Sequence, residues 1–158
     1  MAKAEAIHGL DEDDPYAEVA ATVVAIRSRE LFEQSADVLD IGDIERVHDM
    51  RVATRRLRAA LEVFEPCFEP KRFSIALSEV KALADALGER RDPDVTIAAL
   101  VEFAAEVGGA ERTGIESLID HLRGEQGDAN EALAPVVSSA RLAKLEKRLS
   151  KLVAGARR

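Results

Sequence analysis

The sequence predicts an all-α protein, built as an up-and-down antiparallel bundle of about six helices. Three observations carry this. Apolar residues recur at three- and four-residue intervals in successive segments, the spacing that gathers them on one helix face. No segment alternates apolar and polar residues with the period of two that a half-buried strand requires. Hydrophobic residues make up 47% of the chain but aromatics only 4%, so the core must be Ala, Leu, Val and Ile, which suits helices packed closely side by side.

The length fits one domain with a sizeable core. Residues 1–13 read as an acidic, mobile leader and residues 14–158 as a single helical domain. Asp14-Pro15 supplies an N-cap and a proline at the first helical position. It opens a helix to about Val38, with Val19, Thr22, Val23, Ile26, Leu31 and Val38 as buried candidates. Gly42-Asp43 breaks the chain and caps a second helix, which must stop near Pro66. The stretch 65–70 is a turn, because Pro66 and Pro70 do not continue a helix. A third helix, about 70–88, carries Phe73, Leu77, Val80, Leu83, Ala84 and Leu87 at helical spacing and ends around Gly88. Asp92 then caps a fourth, with Pro93 at its first position and Asp94 favouring its positive end. This helix runs to about Val107 and stops at Gly108-Gly109. A fifth, about 110–134, is weakened by Gly114, Gly124 and Gly127. Ser138-Ser139 caps a last helix, 140–154, striped by Leu142, Leu145, Leu149 and Leu152. Its polar side is basic, with Arg141, Lys144, Lys147, Arg148 and Lys151, joined by Arg157 and Arg158.

The second helix is the most informative segment. At 100° per residue, His48, Arg51, Arg55 and Arg58 fall within a narrow arc, beside the apolar stripe of Val47, Met50, Leu57, Leu61 and Phe64. A solvated helix face normally mixes its signs, since like charges four residues apart repel. A row of cationic or protonatable groups next to the core suits an anion.

The chain as a whole carries a formal charge of −8, which disfavours nonspecific attraction to nucleic acid or anionic membrane. Aromatics for base stacking are also scarce. No stretch is long and apolar enough to span a bilayer, and no signal-peptide pattern opens the chain. Cys67 is the single cysteine, so an internal disulfide is excluded and a reducing compartment fits. A cytoplasmic protein with neither nucleic-acid nor membrane partner is expected.

Two segments together resemble the CHAD family, the conserved-histidine α-helical domain. One is Val47-His48-Asp49-Met50-Arg51-Val52-Ala53-Thr54-Arg55-Arg56-Leu57-Arg58. The other joins Glu79-Val80-Lys81-Ala82-Leu83 to Leu87-Gly88-Glu89-Arg90-Arg91-Asp92-Pro93-Asp94-Val95. The resemblance implies a non-catalytic domain that binds inorganic polyphosphate. It also implies association with polyphosphate granules, and a triphosphate-tunnel enzyme as a partner. Carried residue by residue, it makes His48, Arg51, Arg55, Arg56 and Arg58 the anion contacts, with Lys81 and Arg91 joining from the next helix. A full CHAD domain is similar to a pair of bundles with a second His/Arg-rich helix, and nothing after Arg91 reads as its repeat. The chain thus resembles one half of the domain, and a homodimer would rebuild both walls of the groove.

Polyphosphate is a flexible polyanion without bases to read. Each guanidinium fork can hold two phosphate oxygens and stays charged near neutrality, so a row of them makes a ladder. Two other readings stay open. A phosphate-handling enzyme or accessory domain would need a metal or a phosphohistidine. Asp92 and Asp94 have no convincing ligand companion, and His48 has only the adjacent Asp49 to activate it. A purely structural helical bundle would pair the arginines with acids such as Glu18, Glu30, Glu33 or Glu79. No catalytic residue, metal or cofactor is assigned. Cys67, between two prolines and without a nearby histidine, does not read as a nucleophile, and His8 and His121 read as surface residues.

Overall fold

The computed structural model describes residues 3–156 and is all-helical among them. The first two residues of the leader, and Arg157 and Arg158, lie outside the described residues. Five helices follow one another: α1 (Tyr16–Glu33), α2 (Glu45–Val63), α3 (Pro70–Ala104), α4 (Gly109–Leu133) and α5 (Ser139–Ala154), with a single 3-10 turn at Glu65–Cys67. Helix α1 packs on α2 and α5, and α3 packs on α2, α4 and α5. No helix among the described residues is long and apolar enough to cross a membrane.

Helix α3 corrects the sequence reading most. The expected third and fourth helices are one continuous helix of 35 residues, with Pro93 in its interior. Asp92-Pro93 is an N-cap signature, but here Pro93 is buried mid-helix, where its missing N–H leaves the Glu89 carbonyl without its usual donor. Asp94, expected at a helix start, is 1% exposed. Its carboxylate accepts from the fully buried Arg90 one turn earlier and from Gln126 of α4. Tertiary packing of that polar cluster overrides the local signal.

Helix α1 ends at Glu33, not Val38, and residues 34–39 turn back, with Asp37 at φ +53°. Its buried face is Ala17, Ala20, Val24, Ser28 and Leu31. Val19, Thr22, Val23 and Ile26 are only half-buried. Small residues bring α1 close to its neighbours, and Val38 reaches the core from the turn. The cap of α1 falls on Pro15, while Asp14 accepts from the Asp11 amide. The leader touches α1 at Glu5, whose carboxylate meets Arg29 and whose carbonyl accepts from Arg27.

The core joins Val47, Met50, Leu57 and Leu61 of α2 to Phe73, Val80, Leu83 and Leu87 of α3 and Leu145, Leu149 and Leu152 of α5. Phe64 is half-buried and tilts against Tyr16 at 5.3 Å. Ser138 caps α5 through the Arg141 amide, as expected. Glu69 caps α3 by accepting from the Lys71 and Arg72 amides. The reversal between α3 and α4 uses Gly109 at φ +61°, a conformation open to glycine.

Candidate anion-binding site

The apolar spacing of α2 rolls Val47, Met50, Ala53, Leu57 and Leu61 inward, which fixes where the cations stand. Arg51 and Arg55 are exposed, and His48 and Arg58 are half-buried on the same flank. Neither Arg51 nor Arg55 forms an ion pair among the described residues. Of the four acids offered as partners, three are engaged elsewhere, Glu30 with Arg27, Glu33 with Arg29 and Glu79 with Arg148, and Glu18 forms no ion pair among the described residues. Arg56 is half-buried, lies off the arc and is engaged within the protein.

Helix α3 runs antiparallel to α2 along this flank, as three contacts show. Lys81 lies 3.6 Å from Glu62, which also pairs with Arg58 at 3.0 Å. Gly88 lies beside Arg51, whose Nε would stand 3.9 Å from a Cβ added there. Arg91 donates to the Ile44 carbonyl at 3.2 Å and reaches the Glu45 carboxylate at 3.4 Å. The first helical turn of α2 has no side-chain cap, since Asp43 holds Arg46 instead. Arg91 therefore pins the start of the ladder. Only 14% of its side chain is exposed, so it is better placed to hold α2 than to face a ligand.

Glu62 is the acid that pairs with two of the ladder's cations, Arg58 and Lys81. The hydrogen bond from Arg58, with Lys81 adding its charge, holds its carboxyl below the usual carboxylate range. Its interaction with these cations is thus present at neutral pH and is lost only as pH falls through that lowered value. A ligand that takes Arg58 and Lys81 must compete with Glu62. Glu62→Gln is expected to tighten anion binding by up to about fivefold, the worth of one surface ion pair. An anion titration of the two proteins at pH 7 checks it.

Glu45, His48 and Asp49 bring one ligand atom each to within 4.8 Å of one another. This follows from their spacing on the first turn and a half of α2. The trio could hold a divalent ion, although Arg91 already competes for Glu45 and Asp49 has a partner within the protein. Asp92 and Asp94 form no such set, since Asp92 is exposed and Asp94 lies inside against Arg90. Cys67 is buried, which pushes its thiol above the usual range and keeps it from acting as a thiolate.

A family profile for the CHAD domain matches residues 22–158. The chain belongs to the CHAD domain family. No curated protein shows significant similarity to the chain. The match begins within α1 and continues through the other four helices, beyond the two segments that carried the resemblance. Helix α2, which bears His48, packs against both α1 and α3.

Sequence reasoning passed over Gly88 and Glu62. Gly88 reads as a helix stop, yet it lies within α3, where the absence of a side chain leaves room beside Arg51. Glu62 lies i+4 from Arg58, and that spacing alone could have flagged it as a competitor.

Proposed function

We propose that the protein is a non-catalytic module that binds inorganic polyphosphate along α2, through His48, Arg51, Arg55 and Arg58 with Lys81 from α3. The observation that carries this reading is a row of cations on one flank of α2 in which Arg51 and Arg55 have no carboxylate partner among the described residues. Membership of the CHAD family, which is associated with polyphosphate, supports it. A row of guanidinium groups one helical turn apart meets successive phosphates of a flexible chain, so affinity grows with polymer length. The surrounding acidity repels anions that do not reach the ladder. In the cell such a module would bring the protein to polyphosphate granules or present the polymer to a triphosphate-tunnel enzyme.

Titration with labelled long-chain polyphosphate, in moderate salt with duplex DNA as competitor, tests the reading. Tight binding that DNA does not displace is the expected result. Absence of binding returns the ladder to a structural role.

The reading includes a homodimer. The hairpin of α4 and the second half of α3 leaves Val95, Val101, Phe103 and Leu118 each about half exposed, apolar side chains that a second copy could cover in part. Light scattering is expected to give twice the monomer mass, and a monomer that binds long polymer tightly would contradict it.

A further inference from the structure

Helix α5 carries the spacing of the α2 ladder a second time. His48, Arg51, Arg55 and Arg58 stand three, four and three residues apart, and so do Arg141, Lys144, Arg148 and Lys151. Lysine replaces arginine at two positions and histidine is absent, which is why the repeat escapes a search for a second His/Arg-rich helix. The four cations share one arc beside the stripe of Leu145, Leu149 and Leu152, as their counterparts do on α2.

The two ladders flank the same helix. Glu79 of α3 meets Arg148, and Arg72 of α3 lines a cleft with Lys151. Arg141 and Lys144 line another with Ser78 and Ala82. Helix α5 is therefore antiparallel to α3, like α2 but on the opposite flank. The α2 ladder lies along α3 from Gly88 to Lys81, and the α5 ladder along α3 from Ala82 to Arg72. The first stretch of α3 is about 10 Å long and the second about 15 Å, and one begins where the other ends.

The outer face of α3 decides where a polyanion can pass between them. Beyond Lys81 its exposed positions include Asp85, Glu89 and Asp92, which repel phosphate. Before and beside Lys81 they include Lys71, Arg72, Ser74, Ile75, Ser78 and Ala82, none of them acidic. Of the acids around this crossing, Glu62 is engaged by Arg58 and Lys81, Glu79 by Arg148, and Glu69 by the Lys71 and Arg72 amides. Asp85, one turn beyond Lys81, forms no ion pair among the described residues and bounds the crossing on that side. Among the described residues Arg141, Lys144 and Lys151 form no ion pair.

We infer that a single polyphosphate chain runs along α2, crosses α3 at Ser78 and Ala82 beside Lys81, and continues down α5 from Arg141 to Lys151. The inference rests on the polyphosphate reading of α2 and extends its site to a second helix of the same chain.

Lys144→Gln with Lys151→Gln tests it, because both side chains are exposed and lie outside the core. Long-chain polyphosphate is expected to bind this variant about tenfold more weakly. The slope of log affinity against log salt should fall by roughly 1.4, the value for two lost contacts to a single strand. Lys144→Arg with Lys151→Arg should keep both affinity and slope. Unchanged affinity and slope in the Gln variant, under conditions where Arg51→Glu with Arg55→Glu abolishes binding, would overturn the α5 track and leave the α2 site standing. A wild-type protein that binds no polymer would overturn the α2 reading itself, and the track with it.

Discussion

Arg51→Glu with Arg55→Glu is expected to abolish polyphosphate binding while the helical circular dichroism spectrum and the melting temperature stay near those of the wild type. Both side chains are exposed and form no ion pair among the described residues, so their exchange breaks no ion pair within the protein. A hydrogen bond to a charged group contributes about 1.5–3 kcal/mol, and 1.4 kcal/mol is a factor of ten in affinity. Losing two such contacts lowers affinity by at least about a hundredfold, before the repulsion from two new carboxylates. The same change should flatten the salt dependence. A folded double variant with wild-type affinity would remove α2 from the site.

Those two arginines were legible without coordinates because a helix has a fixed angular step. Once the segment is read as helical, positions 48, 51, 55 and 58 must share a flank. The partition among these cations was not legible, since it depends on neighbours far along the chain, from Lys81 against Glu62 to Arg91 against Ile44, the latter 47 residues apart. Glu62 lies one turn from Arg58 in sequence, but its second partner, Lys81, arrives only when α3 packs antiparallel. Arg91 resembles a ligand contact by motif and becomes a clamp on Ile44 and Glu45 through the same packing.

The fold divided in a similar way. Helix α5 was readable from its cap and its leucine stripe, which are local. The joined α3 was not, because Asp92-Pro93 has every local mark of a new helix start. What outweighs it is a polar cluster between residues 32 and 40 positions apart, and no window of sequence displays that.

That cluster makes the second large effect. Arg90 is fully buried. It meets Asp94 on its own helix and donates through Nε to Asn130 of α4 at 3.0 Å, and Asn130 in turn donates to the Leu39 carbonyl at 3.1 Å. Arg90 and Asn130 therefore tie three segments together: α3, α4 and the turn before α2. Arg90→Ala would leave the Asp94 carboxylate buried with only Gln126 and the more distant Arg91, at 3.9 Å, to answer its charge. Breaking a buried pair from one side costs about 3–5 kcal/mol, which for a domain of this size lowers the melting temperature by roughly 10 °C. Arg90→Met with Asp94→Leu removes both charges and should recover much of that loss, because replacing a buried pair by apolar residues is often neutral. If the single and double variants melt alike, the loss comes from packing volume and not from the stranded carboxylate. The neighbouring residue links this cluster to the ladder. Arg91, which holds the start of α2, also lies 3.9 Å from Asp94, and a stranded Asp94 would draw on it, so Arg90→Ala should weaken polyphosphate binding as well as stability. Arg90→Met with Asp94→Leu should restore the two together.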